Sequence, residues 1–128
     1  MKRVVVTGIG LLTAIGDNYT KTWNNLLSCK SGIKKITSFN TDDLPCKIAG
    51  FISDDINSEN FFDINQFLEN KDIKRNDRFI QYGIVAGIMA IKDANIENLN
   101  DEQKLRTGIS VGSGIGGLET IYNGSITL

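Results

Sequence analysis

The chain has 128 residues, of which 41% are hydrophobic and 23% are charged, the composition of a globular domain of ordinary size. Its formal net charge of -1 argues against a protein that binds nucleic acid through bulk positive charge. The sequence has no histidine and two cysteines, so it cannot form a Ser-His or Cys-His catalytic pair and has too few ligands for a zinc site of the usual kind.

The chain begins with a short apolar run, Arg3–Gly10, that is closed by glycines. Such a run predicts a strand buried on both faces, as in a parallel sheet. Thr7 and Gly8 interrupt it too early for a signal peptide, and no run of about 18 apolar residues, the length of a membrane span, occurs. We therefore expect a cytoplasmic protein in which Cys29 and Cys46 stay reduced.

A first helix is expected from Tyr19 to Ser28, because apolar residues recur there at helical spacing. Gly32 is the expected left-handed stop after it. The candidate capping residues are Asp17, Asn18 and Thr20, and the apolar face comprises Trp23, Leu26 and Leu27.

The segment from residue 33 to 70 is polar and irregular. Within it, the run Lys47–Ile52 predicts a short strand, and the apolar positions between 61 and 68 predict a short helical segment. Its carboxylates, Asp42 and Asp43 among them, are scattered, and none forms a pair typical of acid–base catalysis.

The segment Asn76–Ala94 has the clearest helical pattern in the sequence. Few polar side chains interrupt it, so we expect a helix that is buried on most sides. Gly83 and Gly87 each cost such a helix about 1 kcal/mol relative to alanine. Their spacing of four predicts that another element packs closely against the helix backbone.

The last third of the chain predicts a helical turn at Asp101–Leu105, a second buried strand at Thr107–Gly112, a glycine-rich turn at Ser113–Gly117 and a helix from Leu118. A βαβ-like order of this kind predicts a parallel sheet. Two strands cannot cover a helix that is apolar nearly all round. We therefore expect the missing partners to come from further chain or another subunit, and the 128 residues to be a fragment.

The glycine-rich turn also raises the hypothesis of nucleotide binding. Gly112-x-Gly114-x-x-Gly117 matches the dinucleotide fingerprint in letters and follows a predicted strand. The acidic residue expected about 20 positions further on does not occur before Leu128. A nucleotide-binding oxidoreductase therefore stays an alternative hypothesis that matches the fingerprint only in part.

A cluster of cations precedes and enters the long helix: Lys71, Lys74, Arg75 and Arg78. Cations at a helix N-terminus oppose the macrodipole. Two interpretations stay open from these residues alone, a solvated surface or a docking site for an acidic partner.

Four stretches carry the most specific patterns: Arg3–Gly10 with Thr13–Gly16, Thr22–Ile33, Asp77–Gly87 and Gly112–Leu118. In order and spacing they resemble the β-ketoacyl-acyl carrier protein synthases of fatty acid biosynthesis, of the elongating 3-oxoacyl-[acyl-carrier-protein] synthase II kind. The resemblance implies an α/β thiolase-like fold with layered αβαβα architecture, which is incomplete in this chain. Residues 1–128 would form the N-terminal part of the synthase N-terminal domain, with the remainder of that domain and the C-terminal domain absent.

The resemblance also implies a reaction. In the family, acyl carrier protein delivers an acyl group to a cysteine, and malonyl-acyl carrier protein then loses carbon dioxide and attacks the thioester. A pair of histidines and an oxyanion hole assist this Claisen condensation. The acyl groups arrive on the phosphopantetheine of acyl carrier protein, so no separate cofactor and no metal is expected. The expected partners are acyl carrier protein and a second copy in a homodimer, with no nucleic acid and no membrane.

Site residues are carried over from the resemblance position by position. Gly114 and Ile115 match the family's acyl-chain pocket, and Lys71, Lys74 and Arg75 match the region that docks acyl carrier protein. The nucleophilic cysteine and the histidines are expected beyond Leu128, and neither cysteine of this chain matches the nucleophile position. The 128 residues alone are therefore expected to be inactive. The alternative hypothesis is a truncated product that acts as an interaction module or is a non-functional remnant.

Overall fold

A computed structural model describes residues 2–53, 55–59 and 61–127 of the chain. They divide into two compact units. The first, called the insert unit, is Leu11–Asp63. The second, called the helical unit, joins the N-terminal residues up to Gly10 with the chain from Ile64 onward.

The insert unit begins with a tight turn and a helix. Gly16 lies so close to Thr22 that a Cβ at position 16 would come within 2.5 Å of the Thr22 amide nitrogen. Helix α1 spans Tyr19–Leu27, and the side chain of Asn18 caps it by accepting a hydrogen bond from the Lys21 amide at 2.9 Å. The predicted helix is confirmed, and Asn18 is the cap among the three candidates.

Helix α1 ends at Leu27, and the left-handed residue that follows it is Cys29, so the prediction of Gly32 as its left-handed stop was wrong. Cys29 has a φ of 53°, in the left-handed region. The amides of Cys29 and Lys30 donate to the carbonyls of Leu26 and Asn25 at 3.0 and 2.9 Å. Because these two bonds close the last turn, the helix has ended before the chain reaches Gly32.

A two-stranded antiparallel sheet follows in the insert unit. Strand β1 spans Ile33–Lys35 and strand β2 spans Ile48–Gly50, with Ile33 opposite Gly50. The strand expected within residues 47–52 is confirmed. Its partner was not predicted, because three residues with two lysines give no strand pattern.

The helical unit contains four α-helices among its described residues, and a 3₁₀ turn at Ile64–Gln66 precedes them. The helices are α2 (Asn70–Arg75), α3 (Arg78–Asp93), α4 (Asp101–Leu105) and α5 (Leu118–Thr127). The sequence predicts α3, α4, the start of α5 and the short helical segment near residue 64. It does not predict α2, which contains a single apolar residue, Ile73.

The N-terminal residues of the helical unit pack on α3. A Cβ at Gly10 would overlap the carbonyl oxygen of Ala86 and lie 2.7 Å from the amide nitrogen of Ala90. The amide of Ile9 donates to Oδ2 of Asp93 at 2.9 Å. The N-terminal residues therefore pack against the row of small residues on α3.

Two predicted strands, Arg3–Gly10 and Thr107–Gly112, form no ladder within residues 2–53, 55–59 and 61–127. Both runs are exposed: Val4 is 96% and Ile109 is 90% accessible. A strand needs a neighbouring strand to pair with its amides and carbonyls, and the described residues supply no such strand to either run. The apolar pattern is present, whereas the parallel sheet that it predicts is not formed by these residues.

Helix α3 is less buried than its sequence predicts. Val85 and Gln81 are buried on one side of it, but Ile80, Ile84 and Ile91 are between 37% and 44% accessible. A Cβ added at the helical glycines of α3 would meet nothing within 4 Å. The close packing predicted there is therefore not supplied by the described residues. Within the described residues, every helix is too short or too polar to span a membrane.

Candidate functional site

The two residues predicted to lie at an acyl pocket occupy an open turn in the helical unit. Gly114 and Ile115 precede helix α5, and the Ile115 side chain is 77% accessible. A Cβ at Gly114 would meet nothing within 4 Å. The two positions are adjacent on an exposed turn, and no described residue closes a pocket over them.

The residues that follow Ile115 are held by the start of helix α3. A Cβ at Gly116 would lie 2.6 Å from both Cε2 and Cζ of Phe79, so the Gly116 backbone rests on the Phe79 ring. Gly117 has a φ of 73°, which favours glycine, and lies beside the carboxylate of Asp77. At Gly116 the turn therefore contacts α3 through backbone atoms that only glycine can bring so near.

Asp77 precedes the first residue of α3 but does not cap that helix with its side chain. Its Oδ1 instead accepts a hydrogen bond from the hydroxyl of Thr120, in the first turn of α5 and 43 residues along the chain. Its Oδ2 is buried and has no hydrogen-bond partner among the described residues. The carboxylate thus lies at the N-terminal ends of two helices, where helix dipoles stabilise negative charge.

The three predicted docking cations lie on α2. Lys74 and Arg75 are in its last turn, where positive charge complements the helix dipole. The interpretation that the cluster opposes the dipole of the long helix was therefore wrong for these two residues, because they belong to a separate helix. Lys71 pairs with Glu69 at 2.9 Å, and both side chains are more than 60% accessible, so the pair contributes little to stability.

Helix α2 is fastened to α3 by one buried amide. The side chain of Gln81, only 5% accessible, donates from Nε2 to the carbonyls of Ile73 and Asn76 at 2.9 and 2.6 Å. Both carbonyls lie at the C-terminal end of α2, which would otherwise leave them without helical partners. Gln81 therefore fixes the end of α2 that carries Lys74 and Arg75.

A polar cleft of about 320 Å³ brings the cations of α2 together with the first turns of α5. Neither Lys71 nor the pair Gly114 and Ile115 lines it. The lining residues are Ile73, Lys74, Arg75, Asn76, Asp77, Arg78, Gln81, Glu119, Thr120 and Asn123.

The two cysteines do not line this cleft. Cys29 and Cys46 are free and exposed, as expected for reduced thiols, and the Cys46 thiol donates to the carbonyl of Ile48 at 3.3 Å. Across residues 2–53, 55–59 and 61–127, no three histidine, cysteine, aspartate or glutamate residues are grouped so as to hold a metal ion.

Three residues that shape this region were not singled out from the sequence: Gln81, Phe79 and Thr120. Gln81 could have been identified from the sequence, because it is a polar residue in an otherwise apolar stretch of a helix. A polar side chain that is buried must find hydrogen-bond partners. The contact between Asp77 and Thr120 could not have been identified in this way, because nothing in the sequence couples two polar residues 43 positions apart.

Comparison with known proteins places these features in a family. The chain is 42% identical over 123 residues to a Vibrio cholerae protein named 3-oxoacyl-[acyl-carrier-protein] synthase 2, covering 96% of this chain and 28% of that protein. Proteins of the same name match from Rhizobium meliloti (38% identity, 100% of this chain and 30% of that protein) and from Staphylococcus aureus strain N315 (42% identity, 93% and 27%). The chain thus spans less than a third of the length of these curated relatives.

A solved structure, the ishigamide ketosynthase/chain length factor, superposes with a TM-score of 0.60 at 26% identity, over 72% of this chain and 21% of that chain. The fold is accordingly the N-terminal portion of a thiolase-like α/β fold, as the sequence predicted. The family model described as the beta-ketoacyl synthase N-terminal domain matches residues 1–127, so the chain belongs to the β-ketoacyl synthase family.

Proposed function

We propose that this chain is the N-terminal part of an elongating 3-oxoacyl-[acyl-carrier-protein] synthase of fatty acid biosynthesis. The observation that carries the proposal is the 42% identity to a synthase of that name along 96% of the chain. In the proposed reaction an enzyme-bound acyl thioester is attacked by the carbanion that malonyl-acyl carrier protein forms as it loses carbon dioxide. The products are 3-oxoacyl-acyl carrier protein, carbon dioxide and the released enzyme thiolate.

This chain contributes binding surfaces to the proposed reaction and no catalytic group. Gly114 and Ile115 are assigned to the wall of the acyl pocket, with glycine allowing the acyl chain to approach the backbone closely. The nucleophilic cysteine and the histidines are assigned to protein outside these 128 residues. We propose that the chain by itself does not catalyse condensation, and that no cofactor is required beyond the phosphopantetheine arm of the carrier protein.

Lys71, Lys74 and Arg75 are assigned to docking of acidic acyl carrier protein. Support comes from their shared placement on α2, a helix whose orientation is fixed by Gln81. The three cations outnumber the single carboxylate of α2, Asp72, and the net positive field attracts an acidic partner and speeds its encounter. A homodimeric synthase in the cytoplasm is the proposed setting.

A hybrid synthase tests the proposal directly. It carries the 123 matched residues of this chain in place of the corresponding segment of the Vibrio cholerae synthase 2. The hybrid is expected to extend acyl-acyl carrier protein by one two-carbon unit with malonyl-acyl carrier protein, and the 128-residue chain alone is expected to give no product. Elongation by the chain alone, or a folded hybrid without elongation, would contradict the proposal.

One observation favours the second candidate, a product that acts only through association with other molecules. The described residues leave many large apolar side chains exposed, including Val111 at 84% and Leu105 at 89%. Surfaces of this kind mark interaction sites. Detection of only the 14.1 kDa chain in its native cells would favour this candidate over a working synthase.

A further inference from the structure

The position of Ile115 depends on how the turn around it is held. Ile115 is 77% accessible and its neighbour Gly114 meets nothing, so neither residue fixes the turn through contacts of its own side chain. The nearest restraints begin one residue later, at Gly116 and Gly117. They come from Phe79 of helix α3 and from Asp77, which immediately precedes that helix.

The first restraint is steric. The Phe79 ring lies against the Gly116 backbone so closely that a Cβ would stand 2.6 Å from ring atoms Cε2 and Cζ and 3.1 Å from Cδ2. Real Cβ atoms do not approach ring carbons to 2.6 Å, so either the ring or the turn must move if Gly116 gains a side chain. Phe79 therefore sets how near to α3 the turn can lie.

The second restraint is polar. The Thr120 hydroxyl donates to Oδ1 of Asp77, while Oδ2 of the same carboxylate is buried beside Gly117 without a hydrogen-bond partner among the described residues. Burying half a carboxylate without a partner is costly, so the arrangement persists only because its other contacts hold it. Those contacts are Thr120 and the N-terminal ends of α3 and α5, all of which lie beside the turn.

The two restraints act on consecutive residues, and Ile115 is the residue immediately before them. We propose that Asp77 and Phe79 are positioning residues that hold the glycine turn against α3 and thereby set where Ile115 stands in the acyl pocket. The inference rests on the proposed function, because it takes Ile115 as part of the pocket wall. It adds that the range of acyl-chain lengths is tuned from α3, by residues that do not contact the acyl chain.

The steric restraint is tested by a substitution and its rescue. In the hybrid synthase, Gly116→Ala is expected to shift the ratio of kcat/KM between a long and a short acyl-acyl carrier protein by about tenfold, since pocket contacts discriminate by this order. Phe79→Leu removes Cε2 and Cζ, the atoms that the new methyl group would overlap. The double variant is therefore expected to return most of the way to the original ratio.

The polar restraint is tested by a matched pair of variants at Thr120. Thr120→Val keeps the shape and loses the hydroxyl, whereas Thr120→Ser keeps the hydroxyl. Amide hydrogen exchange in the peptide spanning residues 112–121 is expected to quicken about tenfold in Thr120→Val, because a hydrogen bond to a charged group is lost, and to stay unchanged in Thr120→Ser. Exchange is measured on the 128-residue chain and on the hybrid, so an unfolded isolated chain does not prevent the comparison.

The outcomes separate this inference from the function on which it rests. An inactive unsubstituted hybrid that is folded overturns the proposed function, while the exchange rates still decide whether the hydrogen bond between Thr120 and Asp77 holds the turn. An active hybrid in which Gly116→Ala leaves the chain-length ratio unchanged overturns the inference alone. A shifted ratio that Phe79→Leu fails to restore also overturns it, because the Phe79 ring would then not be the restraint.

Discussion

Gly10 lies directly against the backbone of Ala86 in helix α3, at a distance that leaves no room for a side chain. The atoms that a Cβ would meet are main-chain atoms, the Ala86 carbonyl oxygen and, at 2.7 Å, the Ala90 amide nitrogen. Backbone atoms of a helix cannot move aside as a flexible side chain can. The contact therefore fixes how the N-terminal residues approach α3.

We expect Gly10→Ala to destabilise the protein, because the methyl group must push the N-terminal segment away from α3. Overpacking of this kind costs about 1–3 kcal/mol, which lowers the thermal midpoint of the hybrid synthase by several degrees. Ala86→Gly is the matched control, and it should not rescue the variant, because the obstructing oxygen belongs to the main chain. An unchanged thermal midpoint for Gly10→Ala would contradict the close approach.

Gly87 is expected to respond in opposite ways in the isolated chain and in the hybrid. A Cβ there meets nothing within 4 Å among the described residues, so Gly87→Ala should stabilise α3 in the isolated chain by about 1 kcal/mol and raise its helical circular dichroism. The spacing of Gly83 and Gly87 predicts that another element covers this face in a complete synthase. Gly87→Ala should therefore lower the thermal midpoint of the hybrid, and a rise in both proteins would show that this face stays open.

The charges on α2 are expected to contribute unequally to carrier-protein binding. Lys74 lines the polar cleft, whereas Lys71 lies outside it and is already paired with Glu69 at 2.9 Å. Lys74→Gln should weaken binding of acyl carrier protein to the hybrid several-fold and reduce its salt dependence, and Lys71→Gln should do less. Titrations at low and high salt measure both effects. If Lys74→Gln and Lys71→Gln weaken binding equally, acyl carrier protein is attracted by a diffuse positive field and is not bound at a defined site.

Gln81 offers a way to loosen α2 without altering its charge. Gln81→Met fills a similar volume but removes both hydrogen bonds to the carbonyls of Ile73 and Asn76. Leaving part-buried carbonyls unpaired costs about 1–3 kcal/mol, so the thermal midpoint of the hybrid should fall. Binding of carrier protein should weaken while its salt dependence is retained, in contrast to Lys74→Gln. Unchanged binding in a destabilised Gln81→Met protein would mean that the orientation of α2 does not matter for docking.

Elements with local signals could be predicted from the sequence, and elements that need a distant partner could not. Helix α1 has a side-chain cap at Asn18 and α4 has a capping box at Asn100, and both helices were expected close to their observed bounds. Helix α2 was missed because its single apolar residue, Ile73, produces no helical periodicity. Its attachment depends on a residue of the next helix.

Two strands were predicted that the structure does not form, which is the opposite of the error made at α2. Arg3–Gly10 and Thr107–Gly112 have the apolar pattern of buried strands. Such a pattern indicates the environment in which a segment is stable, but the segment forms a strand only if other residues provide that environment. Some parts of the candidate site could likewise be predicted from the sequence and others could not. The cations and the glycine turn were predicted as short stretches of sequence, whereas the cleft that unites α2 with α5 arises only when α3 brings them together.

The amount of surface left exposed leads to a prediction about the chain by itself. Its accessible surface is 10450 Å². A folded monomer of 14.1 kDa is expected to expose only about 6,700 Å². Val85 is the only apolar side chain that is fully buried among the described residues, so the isolated chain has almost no hydrophobic core.

We therefore expect the isolated chain to self-associate and to unfold without a sharp thermal transition, because exposed apolar runs and unpaired strand edges drive association. Sedimentation velocity over a dilution series should show species larger than 14.1 kDa that dissociate on dilution. Ile109→Lys with Val111→Lys, on an exposed run with strand pattern, should shift the distribution toward monomer, whereas Lys104→Gln on the neighbouring helix α4 should not. A single monomer at every concentration with a cooperative thermal transition would show that the chain is stable without further apolar contacts, and would remove the main support for the association-only alternative.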